Sequence, residues 1–457
     1  MQTFRGLIVT LVVLFARPTL AAERFLLAED SSPGSTWSVD NQVTGNGTFE
    51  FQPGANANGA VKHPVEIKAT FRYSECRLPS AGRDEAAWRA LRLYEEATSG
   101  ISVGGHASSP QLRSDRRRIV VRADRAGLLP YSPDGPLTSQ EVELLPSLGD
   151  PLLLAALLPE REVTVGESWN PQPWVGPALA GTEVSFNSGM TCQLQSVASG
   201  QALIKVDGTV SGAAKGSTSE TTLAGSIAFD VNLKTIVAGE LTQTEKRSIG
   251  PVTPGMTLRL TSKLKKSAAE PSRLIEAEEI EAIPLEPSDE ALRIEHPLDF
   301  GAKLVCERDW IAIQQTGTLL VLRLLDHGGI VAQCNIAPAP NVQPGARTDE
   351  RQFQDDIRRS LGAQLSEIVS AEEVKGPTAM RIYRVTAVGK TDESDMVWRY
   401  YLLSSPDGRQ AALVFTSEAS QLPRLTDRDL ELVNSIEFLA QNGPKVATPK
   451  SLSSPLK

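Results

Sequence analysis

The stretch VEIKATFRYS (residues 65–74) alternates without a break. Val65, Ile67, Ala69, Phe71 and Tyr73 fall on one side, and Glu66, Lys68, Thr70, Arg72 and Ser74 on the other. Side chains leave a strand with a period of two, so this is one strand of an antiparallel sheet, apolar on one face and wet on the other. The pattern returns downstream. Ile227, Phe229, Val231 and Leu233 alternate with Ala228, Asp230, Asn232 and Lys234. Met256, Leu258, Leu260 and Leu264 alternate with Thr257, Arg259, Thr261, Lys263 and Lys265. Everything from Val184 to Lys265 reads as strand. Leu241 to Arg247 is polar on both sides, as an edge strand would be. Trp37 to Phe51 reads as a strand interrupted at Gly45-Asn46-Gly47. Between these, Asp84 is placed to cap a helix running to about Thr98, with Trp88, Leu91 and Tyr94 as its apolar contacts.

A sheet with one apolar face needs a cover. Thr138-Ser139-Gln140-Glu141 is a capping box, with Leu137 and Val142 as its hydrophobic staple. The helical pattern, broken at Pro146 and Gly149, continues through the apolar run Leu152–Leu158 and stops at Pro159. A short strand then ends at Trp169. Residues 23–267 are therefore expected to form a β-rich domain, a curved antiparallel sheet with covering helices. Residues 268–290 carry Pro271, Pro284 and Pro287 among seven acids between Glu276 and Glu290, and read as an acidic linker.

Residues 291–440 look like one α+β domain. Thr318–Leu325 is apolar on both faces except at Arg323, as a central strand would be. Asp326-His327-Gly328 makes a tight hairpin into Gly329–Ile336. Asp349 caps a helix whose stripe is Phe353, Ile357, Leu361 and Leu365. Strands Thr378–Val388, Met396–Leu403 and Gln410–Thr416 follow, then a short helix capped by Thr426 and a closing strand Asn434–Phe438. The tail, 441–457, is polar, with Pro444, Pro449 and Pro455, and reads as disordered.

The first 22 residues set the address. Arg5, the apolar run Leu7–Ala16 and the small residues Thr19-Leu20-Ala21-Ala22 make a secretory signal peptide, too short to span a bilayer. The protein is expected to be exported, periplasmic or extracellular, without stable membrane insertion. Net charge is −9, and about −11 without the two arginines of the signal, 44 basic against 55 acidic residues. Such a balance excludes a nucleic-acid partner, which needs clustered Lys and Arg. The four cysteines of an exported chain permit two disulfides, Cys306 with Cys334 and Cys76 with Cys192, or four buried thiols.

The search for chemistry yields no catalytic motif. Nucleophile-elbow, metalloprotease, EF-hand, P-loop and dinucleotide patterns are absent from the sequence. His63, His106, His296 and His327 are scattered, so neither a metal nor a cofactor is expected. Glu167 near Trp169 and Asp395 near Trp398 leave room for a carbohydrate-active enzyme only if carboxylates converge in space. Two places are candidate ligand contacts. One is the Trp169–Trp174 segment. The other is RSDRRRIVVRADR (113–125), where Arg116, Arg118 and Arg122 share a strand face that is either an anion patch or a salt-bridged solvent face.

The 291–440 region, with a long first strand ending at Trp310, the hairpin 319–336, one amphipathic helix, three strands and the closing Ser435-Ile436-Glu437-Phe438, resembles the PsbP/Mog1-type α/β/α sandwich. Val374-Lys375-Gly376-Pro377-Thr378-Ala379 before a long strand fits that pattern. The resemblance implies a binding or assembly module and carries over no site residue. The N-terminal sheet is similar to the half-barrel of lipoprotein-carrier proteins, which would make Leu152–Leu158 a lid over an apolar ligand. The whole chain looks like exported proteins of planctomycete-type bacteria. The sequence thus points to a non-catalytic binding or scaffold protein of the cell envelope, with an envelope protein or polymer as partner. A carrier of an apolar ligand and a carbohydrate-active enzyme are the alternatives.

Overall fold

The computed structural model describes residues 23–440 apart from Ser31, Pro33, 53–59, 80–87, Ala126, 271–274, Arg347, 377–378 and 392–393. The expected signal peptide, the cap at Asp84 and the tail lie outside the described residues.

From Arg24 to Ala268 the chain is largely extended. The first strands are β1 (Arg24–Leu26), β2 (Thr36–Phe51), β3 (Val61–Leu78), β4 (Trp88–Val103), β5 (His106–Ser108), β6 (Arg118–Asp124), β7 (Gly127–Tyr131) and β8 (Leu137–Thr138). Helices α1 (Ser139–Leu144) and α2 (Pro151–Ala155) lead to β9 (Glu162–Thr164), β10 (Ser168–Trp169) and α3 (Val175–Ala180). Five long strands close the region: β11 (Val184–Ala198), β12 (Gln201–Ala214), β13 (Ser217–Asp230), β14 (Thr235–Arg247) and β15 (Gly255–Ala268). All but β1, β8 and β9 join one twelve-stranded sheet in the order β10-β11-β12-β13-β14-β15-β2-β3-β4-β6-β7, with β5 on β4.

One face of this sheet is covered. Val39, Phe71, Ile227, Phe229, Leu241 and Leu264 share a core with Leu144 of α1, Leu152–Ala155 of α2 and Val175 of α3. The expected capping box is present: the Thr138 hydroxyl accepts from the Glu141 amide and the Glu141 carboxylate from the Thr138 amide. Leu152, Leu153, Leu154, Leu157 and Leu158 are all buried in that core.

Three expectations for this half are corrected. Residues 88–103 are strand, not helix, because β4 is buried on both faces: Tyr94 faces the α1–α3 core while Leu91 joins Cys76 and Val120 on the other side. β14 is central, not an edge. Its polar residues Gln243 and Glu245 are buried on the covered face, where Glu245 pairs with Arg247 at 2.6 Å. The Gly45-Asn46-Gly47 interruption does not occur. β2 runs through with unbroken register to β15 and β3, and the glycines serve close approach: a Cβ at Gly47 would lie 2.1 Å from the Thr257 carbonyl.

The acidic stretch after β15 forms α4 (Ala277–Glu281) and α5 (Asp289–Leu292). Its apolar residues Ile275, Ile283 and Ala291 are buried against Cys76, Leu78, Leu91 and Val120.

The remaining elements are β16 (Ile294–Leu298), β17 (Ala302–Cys306), β18 (Trp310–Gln315), β19 (Leu320–Asp326), β20 (Gly329–Ala339), α6 (Glu350–Leu361) and β21 (Leu365–Val374). Then come β22 (Arg381–Thr391), β23 (Ser394–Ser404), β24 (Gln410–Glu418), α7 (Leu422–Leu425), α8 (Arg428–Asn434) and β25 (Glu437–Phe438). A seven-stranded antiparallel sheet runs β18-β19-β20-β24-β23-β22-β21. On one face Leu322, Ile336, Tyr401 and Phe415 pack with Leu425, Leu432 and Val433 of α7 and α8; on the other, Val385, Trp398 and Tyr400 pack with Ile357 and Leu361 of α6. The hairpin at 326–329 is as expected, with His327 and Gly328 both left-handed (φ 49° and 76°), the conformation of primed two-residue turns.

Four details in this half differ. Trp310 begins a strand instead of ending a long one, since residues 294–306 fold into their own β16–β17 hairpin around Gly301. α6 stops at Leu361 because Gly362 takes φ 52°, so Leu365 opens β21. Thr426 ends α7 and does not cap α8. Residue 434 is still helical, and the closing strand is only Glu437–Phe438.

A four-stranded sheet, β25-β17-β16-β8, ties the halves together. β16 runs parallel to β8, and Arg113 bridges Glu141 (2.9 Å) and Glu295 (2.7 Å). Of the outer strands, β21 and β11, which β10 covers only at Gln193 and Cys192, carry two register shifts each, which blunts them against further strand pairing.

Candidate functional site

The alternation that fixes β3 as a strand also fixes which residues it presents to water. Glu66 and Lys68 point away from the covered face, and pairing across the sheet gives them neighbours. Thr222, Thr244, Arg259, Asn46, Glu66 and Ser102 lie in one continuous row from β13 to β4. The adjoining row holds Thr242, Thr261, Thr44 and Lys68. A cavity of about 310 Å³ opens between these rows, lined by Thr44, Gly45, Asn46, Glu66, Ile67, Lys68, Arg259 and Thr261.

Its charges are uncommitted. Among the described residues, Lys68, Arg259 and Glu66 enter no ion pair, as Lys246, Lys265 and Glu220 on the same face do not, while Lys205 pairs with Asp207 at 2.5 Å, Arg72 with Glu96, and Lys263 with Glu240 at 3.9 Å. The groove therefore carries two cations and one anion within a field of hydroxyl and amide groups. Hydroxyls donate and accept, Arg and Lys only donate, and a carboxylate only accepts. This set suits a ligand with both hydroxyl and acid groups.

The same strands hold a second set of charges, on the covered face. Arg92 is 1% exposed and makes a two-pronged pair with Asp150 (2.7 and 2.8 Å) and a bond to Glu75 at 2.9 Å. Its guanidinium lies 4.8 Å from the Tyr73 ring centre. Asp150 also accepts from the Leu152 amide at 3.0 Å, so Arg92 fastens the start of α2 to the sheet. Beside it, Glu29 accepts from Lys266 at 2.7 Å and faces Arg77 at 3.6 Å. Burial opposes the charge of Glu75, but Arg92, Lys266 and Arg77 together hold its carboxyl below the usual carboxylate range. Three buried cations meet three buried anions, and the belt is committed to the fold. A further depression, against α6, is lined by Asp349, Arg351, Gln352, Asp355, Arg358 and Arg359, and two of its three arginines pair along their own helix, Arg358 with Asp355 and Arg359 with Asp356.

The residues singled out by sequence are placed elsewhere. Trp169 is a core residue, and its Nε1 donates to the Leu157 carbonyl at 2.8 Å. Trp174 is partly buried at the start of α3. Arg116 is held by Asp115 (2.8 Å) and the Pro136 carbonyl (3.2 Å), Arg118 by Asp134, and Arg122 by Asp124 and Glu286. The arginine run is thus a salt-bridged face. Glu167 pairs with Arg161 at 2.6 Å on the large sheet, while Asp395 pairs with Lys390 at 3.4 Å on the seven-stranded one, so these two carboxylates are not brought together.

All four cysteines are buried free thiols, the second of the two arrangements that the sequence leaves open. Cys306 and Cys334 share one core, but Cys76 and Cys192 belong to separate ones, which corrects that pairing. Burial pushes the Cys192 and Cys306 thiols up to about 12. His296 is 1% exposed, with burial lowering its pKa to about 4 and no partner at Nε2. Among the described residues no three His, Cys, Asp or Glu side chains converge as a metal site, and no helix is long and apolar enough to cross a membrane.

No family model matches the chain, and no curated protein matches it by sequence. Solved structures give slight similarities. Lipovitellin, in a structure of its lipid–protein interactions, is 9% identical over 53% of this chain and 26% of its own, with a TM-score of 0.27, so the chain spans about a quarter of that protein. DynF, from the dynemicin biosynthesis pathway of Micromonospora chersina, is 11% identical over 59% of this chain and 96% of its own, with a TM-score of 0.16. A mutant Rh. blastica porin is 8% identical over 83% of this chain and 99% of its own, with a TM-score of 0.11. Scores this low carry no conclusion about fold or activity.

Proposed function

We propose that this chain is an exported, non-catalytic binding protein of the cell envelope that binds through the open face of its large sheet. The observation that carries the reading is the groove at Lys68, Arg259 and Glu66, a depression on the open face that gathers two cations and a carboxylate, none of them in an ion pair, among hydroxyl and amide groups. Binding groups that must meet a ligand cannot be spent on the fold. In the interior the opposite holds, because the buried charges satisfy one another. The C-terminal half, with helices on both faces of its sheet, fits the PsbP/Mog1-type arrangement and serves as an assembly module.

The carrier alternative asks Leu152–Leu158 to leave the core and admit an apolar chain. Those leucines are seated among sheet side chains, which favours the surface reading. The enzyme alternative asks two carboxylates to converge in a cleft beside an exposed Trp, and its candidates Glu167 and Asp395 pair with Arg161 and Lys390 in different parts of the fold.

The test is fractionation of cells making the full chain. The account expects a mature form beginning at Glu23, sedimenting with the insoluble envelope and released by salt. A cytoplasmic product retaining residues 1–22, or an exported one that never sediments, would sink it. Native mass spectrometry of the same material adds one arm: a tightly bound lipid-sized mass would favour the carrier.

A further inference from the structure

We infer that the groove holds the acid group of a linear, hydroxyl-rich anionic polymer, an acidic polysaccharide of the uronate type, lying across the strands. This rests on the binding reading above and names its ligand. Three features of the open face select that class.

The first is shape. The row from Thr222 to Ser102 crosses six neighbouring strands, and strands spaced 4.7–4.9 Å apart make it about 24 Å long. A lane of that length suits several units of a chain molecule better than one small ligand. The second is chemistry. Thr44, Thr244 and Thr261 offer hydroxyls along the lane, and Asn46 an amide. At its middle Arg259 presents a planar fork matched to carboxylate, with Lys68 as a point charge diagonal to it across β2. Glu66 can only accept, so it takes a hydroxyl from the sugar ring.

The third is what the lane lacks. Neither row contains an aromatic side chain, so a neutral glycan cannot stack its ring there and charge must supply the selectivity. A polypeptide adding a strand would pair at a sheet edge, whereas the lane lies across the middle of the sheet, from β13 to β4. Single-stranded nucleic acid would need aromatic platforms on which to stack its bases, and the lane has none.

The experiment is affinity electrophoresis of the full mature chain in native gels containing polygalacturonate or, separately, uncharged dextran. The wild type should be retarded by polygalacturonate and not by dextran. Lys68→Gln/Arg259→Gln should weaken the retardation by roughly tenfold or more, because both charge-assisted contacts are lost. Arg118→Gln, at a salt-bridged arginine away from the groove, should leave it unchanged. Circular dichroism melting of each variant controls for folding. Equal retardation by dextran, no retardation by polygalacturonate, or a double variant that binds like the wild type would overturn the proposal. If envelope sedimentation persists in any of those cases, the ligand class is wrong and the binding reading stands. If sedimentation fails too, both fall.

Discussion

β3 carries the same pair of charge types twice, with opposite fates. Glu66 and Lys68, near its start, stand on the open face without partners. Glu75 and Arg77, near its end, are sealed inside. β15 repeats the contrast, with Arg259 exposed and Lys266 buried beside Glu29. A buried charge costs several kcal/mol of lost hydration unless a partner and hydrogen bonds replace the water. An exposed charge faces no such demand. Pairing is therefore obligatory on one face and optional on the other, and where the option is left unused a surface retains groups for a ligand.

The comparison can be broken from the buried side first. Asp150→Ala would strip Arg92 of its two-pronged partner and remove the cap on α2. We expect a loss of about 3–5 kcal/mol by urea denaturation, as for other broken buried pairs. A loss below about 1 kcal/mol would mean that the belt is dispensable.

His296 gives the next largest effect. Its folded pKa, about 4, lies below its ordinary 6.5, so the unfolded chain binds a proton that the native site refuses. Stability from this residue is complete above 6.5 and falls as pH drops toward 4, by up to about 3 kcal/mol. His296→Phe should flatten that slope between pH 6.5 and 4. An unchanged slope would place the titration in other groups.

Gly47→Ala sharpens the contrast between sheet faces. A methyl group would meet the Thr257 carbonyl at 2.1 Å, and β2 or β15 would have to yield. A cost of about 1–3 kcal/mol is expected from denaturation. Thr138→Ala, removing a helix cap on the covered face, should cost about 1 kcal/mol.

How much of this was legible in the sequence follows from the same asymmetry. Strands with one dry and one wet face, such as 65–74 and 256–265, announce themselves by alternation. β4 does not, because Leu91 and Tyr94 are both buried, on opposite faces, and their spacing imitates a helix. β14 misleads in the other direction, since Glu245 hides its burial behind a salt bridge. The belt could not be read at all. Glu29 and Lys266 are 237 positions apart; Glu29 lies in the connection between β1 and β2, and the β15–β2 pairing brings Lys266 to it. The groove was half legible: Lys68 and Arg259 were visible as wet-face residues, but the register that makes Asn46 the neighbour of both Glu66 and Arg259 was not. The arginine run 113–125 drew attention by composition, and Arg113, Arg116, Arg118 and Arg122 proved to be paired in the fold.

The most direct test of the central claim is the same substitution on both faces. Arg92→Gln and Arg259→Gln should be compared by equilibrium urea unfolding at pH 7. The account expects Arg92→Gln to lose about 3–5 kcal/mol, because Glu75 and Asp150 are left buried without their cation. It expects Arg259→Gln to stay within about 0.5 kcal/mol of the wild type. Equal losses would contradict it, since the open-face arginine would then be holding the fold together and would not be free to hold a ligand.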